Sequence, residues 1–327
     1  MKPKVYITRK IAEEAINKAK EVADVEVWPE ELPPPYETLL EKVKDTDGIL
    51  SMLTDKIDRN LMETASNLRV VSNLAVGFDN IDINEATRRH IPVGNTPGVL
   101  TETTADLTFS LLMAASRRIV EADNYTRQGK WKTWGPLILL GQDIHHATLG
   151  IIGMGRIGAG VAKRARGFDM RVLYHDENRR STEEEKELGI EYCADIKDLI
   201  TTSDFISIHV PLLPDTRNLI GAEEFKMMKK SVVLINTSRG PVVNQSALYE
   251  ALKTGQIFAA GLDVTEVEPI PMDDPLLTLD NVIIAPHIGS ASFNTRTKMA
   301  FMAVENLVAG LQGKLPPNCV NPDALKQ

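Results

Sequence analysis

The chain has 327 residues, 43% of them apolar, and carries 37 Lys and Arg against 45 Asp and Glu, a formal charge of −8. That length suits about two domains with full cores, and with no Lys- or Arg-rich block, nucleic acid is excluded as a partner. No signal-peptide run opens "MKPKVYITRK" and no stretch reaches membrane-span length, so no membrane partner is expected; two distant cysteines, Cys193 and Cys319, suit a reducing cytoplasm and neither a disulfide framework nor a metal site.

Taken in chain order, "KVYIT" predicts a strand, "IAEEAINKAKEVA" has apolar residues at helical spacing, and "VEVW" predicts a second strand. "LPPPY" (Leu32 to Tyr36) reads as a rigid turn into a helix, with a polyproline ligand as the other reading. "GILSML", "RVVSNLA" and "IPVGN" predict further strands with helices between them. The pattern implies a mostly parallel α/β sheet covered on both faces. "TTADLTFSLLMAASRRIVEADNYTRQGKW" has no Gly or Pro before Gly129 and predicts one long helix, with Thr103 and Asp106 at capping-box spacing.

A second βα series follows, through "ATLGIIGMGRIGAG", "DMRVLYH", "DFISIHV", "SVVLINTS", "IFAAGLDV" and "NVIIAPH". A last helix, "FNTRTKMAFMAVENLVAGLQG", and a short tail remain. One array is therefore interrupted by another, and the tail either returns to the first or ends on the second. His145 and His146 lack a carboxylate or cysteine at ligand spacing and read as a loop; "STEEEKELG" reads as a solvated helix.

"GMGRIG" follows an apolar strand and opens a helix. Gly153 permits the tight turn, Gly155 lets the backbone approach a pyrophosphate, and Gly158 lets the helix pack on the strand. The next strand ends at Asp176, near the distance of about 20 residues at which an acid takes an adenosine ribose hydroxyl. That favours NAD(H). Arg179 and Arg180 stand close by and keep NADP(H) open.

Three later strand ends carry candidate chemistry: Arg239 in "LINTSRGPVVN", Asp263 and Glu268 in "AAGLDVTEVEP", and His287 in "IIAPHIGS". Ligands of open α/β sheets bind at the carboxyl ends of strands. Hydride exchange with a 2-oxo or 2-hydroxy acid needs a cation for the carboxylate, a proton carrier, and a carboxylate to orient that carrier. Arg, His and Glu supply these in turn. Each also has a plain structural reading: a turn arginine, a solvated loop carboxylate, a satisfied strand-end histidine.

On "GIIGMGRIG", "HVPLLPDTRNLI", "LINTSRGPVVNQSALYEAL", "AAGLDVTEVEP", "PLLTLDNVIIAPHIGSAS" and "TTADLTFSLL", the chain closely resembles the D-isomer-specific 2-hydroxyacid dehydrogenase family over nearly its whole length. "GKWKTWGPLILLG" and "DVTEVEPIPMDDPLLTL" are most similar to its glyoxylate/hydroxypyruvate reductases. The resemblance implies two doubly wound parallel-sheet domains. A Rossmann-type cofactor domain (101–287) would be inserted into a flavodoxin-like substrate domain (1–100 with 288–327). It implies NAD(P)H-dependent reduction of glyoxylate or hydroxypyruvate with Arg239, Glu268 and His287 as catalytic residues. Leu53, the amides of Val76 and Gly77, Arg239 and Ser290 would meet the substrate. Thr104, Gly153, Gly155, Arg156, Ile157, Gly158, Asp176, Pro211, Thr216, Thr237, Asp263 and Gly289 would meet the cofactor. Trp134 would reach a partner's active site in a homodimer, or be an ordinary interface or core tryptophan.

NADPH-using reductases of this group carry glycine then arginine where this chain has Asp176 and Glu177, which again implies NADH. Glu268 stands where a formate dehydrogenase places glutamine. No regulatory serine-binding domain is expected after the last helix. The alternatives are a lactate, glycerate or phosphoglycerate type of dehydrogenase, and an NAD-sensing corepressor of the same fold.

Overall fold

The computed structural model describes residues 1–326. The chain divides into two units, residues 1–100 with the chain from Ser290 onward, and Thr101–Gly289. In the first, β1 (Lys4–Ile7), β2 (Asp24–Val27), β3 (Gly48–Ser51), β4 (Val70–Asn73) and β5 (Val93–Gly94) pair in parallel in the order β2-β1-β3-β4-β5. That is the flavodoxin-like doubly wound order, with its switch point between β1 and β3. Side chains alternate between two apolar clusters. Val5 and Ile7 join Leu50 and Val70 on one face, while Tyr6, Ile49, Val71 and Val93 join the other. Helices cover both faces, so these strands read as continuous apolar runs.

The helix Phe293–Leu311 answers where the tail goes. It packs on β3 and β4 and buries Met299, Ala300, Ala303, Val304 and Leu307 among the residues of the first face. Ser72 Oγ donates to its Ala303 carbonyl at 2.7 Å. An antiparallel bridge from Gly94 to Cys319 extends the returning chain.

The second unit contains β6 (Thr148–Ile152), β7 (Arg171–His175), β8 (Ile190–Tyr192), β9 (Phe205–Ile208), β10 (Val233–Asn236), β11 (Ala259–Leu262) and β12 (Val282–Ile284). All pairings are parallel, in the order β12-β11-β10-β9-β6-β7-β8. This is the Rossmann order with one more strand at an edge, and its switch point lies between β6 and β9. Phe205, Val233 and Ile235 face one cluster; Ile206, Ile208 and Leu234 face the other.

The Gly- and Pro-free run is not one helix. It forms Thr101–Ser116 and Ile119–Arg127, separated by Arg118 in the left-handed region at φ 53°. Its composition would permit continuation, but a tertiary bond prevents it. The Ser116 carbonyl accepts from the Gln142 amide at 2.9 Å, so the acceptor needed by the next turn is taken. Thr103 and Asp106 also do not cap. The helix starts at Thr101, both lie inside it, and Asp106 pairs with Arg164 at 2.6 Å. "STEEEKELG" forms the helix Thr182–Leu188 with a capping box from Ser181 and Glu184.

Among the described residues, no helix is long and apolar enough to cross a membrane. Among the same residues, no group of three or more His, Cys, Asp or Glu side chains is placed to hold a metal ion.

Candidate active site

The glycine loop leaves β6 at the switch point. Gly153 has φ 92°, and a Cβ there would lie 2.8 Å from the His209 carbonyl, so no other residue fits without displacing the neighbouring strand end. Gly155 caps the helix Arg156–Ala165 without a side-chain bond, and no atom lies within 4 Å of where its Cβ would be. The first amides of that helix, beginning at Arg156 and Ile157, are thus left to a ligand. Gly158 lies against the Gly153 carbonyl. Open space, uncapped amides and a positive helix end together fit a dinucleotide pyrophosphate.

Asp176 stands beside this loop. Its Oδ2 accepts from the Met154 amide at 2.7 Å and its Oδ1 from the Asn178 amide at 2.8 Å. The two arginines nearby are engaged by the protein itself. Arg180 donates to the Met154 carbonyl from Nε and Nη2 at 3.0 and 2.6 Å and pairs with Glu184 at 2.8 Å. Arg179 binds both oxygens of Glu185 at 2.9 and 3.0 Å and lies over the Tyr192 ring.

His209 follows β9, and sequence reasoning did not single it out. Its Nε2 meets Ser207 Oγ at 2.8 Å, while its Nδ1 is enclosed without a partner among the described residues. Burial pushes its pKa down to about 3, so the ring is neutral near pH 7. Its signal was only positional, a histidine at a strand end next to the glycine loop. Pro211 and Thr216 share the following loop, where Thr216 Oγ1 donates to the Pro211 carbonyl at 2.6 Å.

The strand ends of β10, β11 and β12 bring three loops together. Asn236 closes the first of them. Its Nδ2 donates to the Arg239 carbonyl at 2.9 Å and its Oδ1 accepts from the Ser238 amide at 3.0 Å. Gly240 then runs directly against the second loop, where a Cβ would come within 1.8 Å of the Thr265 carbonyl oxygen. That contact sets the Arg239 loop beside the loop of Glu268. Glu268 Oε1 accepts from the Thr265 amide at 3.3 Å, and Glu268 Oε2 meets His287 Nδ1 at 2.7 Å. Both side chains keep part of their surface open, at 31% and 29%.

Asp263 fixes the histidine loop. It is 2% exposed, and its two oxygens accept the Ile288 and Gly289 amides at 2.7 Å each. Burial pushes its carboxyl pKa up, while the two amides and His287 draw it back. Gly289 also faces Thr104, and Thr237 meets Thr108 through their hydroxyls at 2.7 Å. Arg239, Glu268 and His287 therefore stand on adjoining loops, with Thr104, Asp263 and Gly289 packed together behind the histidine.

In the first unit, Leu53 follows β3 and Val76 and Gly77 follow β4; Leu53 and Val76 are partly exposed. Ser290 begins the returning segment. Trp134 is 79% exposed, on a segment without helix or strand that also exposes Trp131, Leu137 and Leu140.

Residues 109–289 match the family model described as D-isomer specific 2-hydroxyacid dehydrogenase, NAD binding domain. A glyoxylate reductase of Korarchaeum cryptofilum (strain OPF8) is 55% identical, covering 100% of this chain and 98% of that protein. A crystal structure of a protein from Thermus thermophilus superposes with a TM-score of 0.92 at 44% identity, over 97% of this chain and 99% of that one. An NADPH-dependent glyoxylate/hydroxypyruvate reductase from Sinorhizobium meliloti, in complex with NADP and malonate, superposes with a TM-score of 0.88 at 30% identity, over 100% of this chain and 99% of that one. The two parallel sheets agree with this likeness, and the chain belongs to the D-isomer specific 2-hydroxyacid dehydrogenase family.

Proposed function

We propose that this protein reduces glyoxylate and hydroxypyruvate to glycolate and D-glycerate with NADH, and that His287 supplies the proton. The observation that carries this is the 2.7 Å pair of His287 Nδ1 with Glu268, on a loop pinned by Asp263. A bound reduced nicotinamide supplies the hydride. With Nδ1 held by Glu268, Nε2 is the nitrogen left to give its proton to the carbonyl oxygen. The Glu268 carboxylate orients the ring. Arg239 holds the substrate carboxylate and polarises the carbonyl, a task suited to its planar fork. Val76 and Gly77 hold the carboxylate through their amides, and Leu53 and Ser290 complete the substrate contacts.

The cofactor falls to Gly153, Gly155, Arg156, Ile157 and Gly158 at its pyrophosphate and to Asp176 at its ribose. Thr104, Pro211, Thr216, Thr237, Asp263 and Gly289 meet the rest. Asp176 favours NADH because a carboxylate accepts from a ribose hydroxyl and repels a 2′-phosphate. The engagement of Arg179 by Glu185 and of Arg180 by Glu184 supports the same preference. NADPH is the weaker cofactor in this reading.

The working form is a homodimer in the cytoplasm. Exposed Ile119, Val120, Trp131, Trp134, Leu137 and Leu140 supply an apolar surface of the kind that protein partners cover, and Trp134 reaches the partner's site. Both cysteines are free thiols, in keeping with a reducing compartment.

Replacing His287 with Gln tests the assignment. Turnover of glyoxylate is expected to fall on the order of 100-fold or more, with the dissociation constant of NADH unchanged. Unaltered turnover would remove His287 from the proposed role.

A further inference from the structure

The segment after β4 presents an unusual run of backbone. Three successive carbonyls, those of Ala75, Val76 and Gly77, each accept a hydrogen bond. Thr96 N donates to Ala75 at 2.8 Å, Asn95 Nδ2 to Val76 at 2.8 Å, and Asn73 Nδ2 to Gly77 at 3.0 Å. In a trans peptide the N–H points opposite to the C=O. Holding the Ala75 and Val76 carbonyls therefore aims the Val76 and Gly77 amides the other way. Among the described residues neither amide has an acceptor. Two adjacent free amides held in one direction make an anion-binding concavity.

The donors are themselves held. Asn73 is fully buried, and its Oδ1 accepts from Ser51 Oγ at 3.0 Å. Asn95 is braced from the returning chain. Asn306 Nδ2 donates to the Asn95 carbonyl at 2.8 Å, Asn306 Oδ1 accepts from the Asn318 amide at 3.0 Å, and the Asn95 amide donates to the Asn318 carbonyl at 3.0 Å. A buried primary amide costs stability unless satisfied. Here each of these asparagines spends its donor on a backbone carbonyl, which fixes a peptide plane.

We propose that Asn95 and Asn73 are positioning residues for the carboxylate of the oxo acid: Asn95 locks the peptide plane that aims the Gly77 amide, beside the Val76 amide whose plane the Thr96 amide holds, Asn73 fixes the next plane and so anchors the far side of Gly77, and Asn306 braces Asn95 from the last helix. The inference rests on the reading of those amides as carboxylate holders. The carboxylate is not the reacting group, so its loss lowers substrate and transition-state binding alike and is read in KM rather than kcat.

The test uses the full chain with NADH bound and compares Asn95→Ala and Asn73→Ala with the wild type. Asn306→Ala serves as a milder variant if either fails to fold. Glyoxylate KM and kcat are measured, together with oxalate binding by calorimetry, NADH binding by fluorescence, and melting temperature. Losing an aimed amide–carboxylate bond raises both the glyoxylate KM and the oxalate Kd on the order of tenfold, with kcat and the NADH Kd within about twofold. A merely structural role would lower the melting temperature and leave the oxalate Kd where it was. Unchanged KM and oxalate Kd in folded variants of an active wild type overturn the inference alone. A wild type that neither reduces glyoxylate nor binds oxalate overturns the functional reading and this inference with it.

Discussion

Asp176 is a single carboxylate with a choice to make. Its two oxygens lie toward the Met154 and Asn178 amides, at the mouth of the uncapped helix Arg156–Ala165. A ribose arriving there carries either a hydroxyl, which the carboxylate accepts, or a phosphate, which it repels. Two unit charges about 4 Å apart near a protein surface interact by about 4 kcal/mol. Removing the charge by Asp176→Gly is therefore expected to shift the ratio of kcat/KM for NADPH over NADH upward, on the order of tenfold or more. An unmoved ratio would shift the choice to Arg179 and Arg180 and the acids that hold them. At this scale the sequence showed which residue types stood at the strand ends, but not what they held. Asp263 was expected at the cofactor; its visible work is to accept two amides of the His287 loop. Asn95 and Asn306 are 211 residues apart, and each reads alone as an ordinary loop or helix asparagine.

Elements explain why Arg239, Glu268 and His287 could be picked out as candidates. Each lies past the end of an apolar strand of a parallel sheet, and such sheets gather functional loops at one end. The run "TTADLTFSLLMAASRR" shows the limit. Nothing local ends that helix at Ser116; the Gln142 amide does, from a loop whose path the sequence does not state. The contact between the β10 and β11 loops is equally tertiary, although it hangs on one glycine. A Cβ at Gly240 would overlap the Thr265 carbonyl at 1.8 Å, deep inside van der Waals contact. Gly240→Ala should push the Arg239 loop away from that of Glu268. A shift of about 1 Å there costs on the order of 100-fold in kcat/KM, and crowding of this kind costs about 1–3 kcal/mol of stability. Kinetics and thermal melts on the purified variant check both. A variant with normal kcat/KM would show that the loop tolerates the displacement.

For the whole molecule, the order of the chain matters. The first unit is left at Leu100 and rejoined from Ser290, so the second unit is an insertion into the first. An interrupted βα series made that order legible; the destination of the tail was not, because Phe293–Leu311 has an amphipathic face that suits either sheet. Its partners on β3 and β4 decide it. The exposed apolar residues from Ile119 to Leu140 lead us to expect twice the chain mass by light scattering. A monomer mass would sink the dimer and the role of Trp134 in it. The most direct measurement is the loss of the reduced nicotinamide absorbance with glyoxylate, hydroxypyruvate, pyruvate and phosphohydroxypyruvate, each offered with NADH and with NADPH. Fast oxidation of NADH by glyoxylate and hydroxypyruvate, with slower use of NADPH, is the expected result. No oxidation with either of those two acids would contradict the proposed function, and fast oxidation only with pyruvate or phosphohydroxypyruvate would assign the site to a different oxo acid.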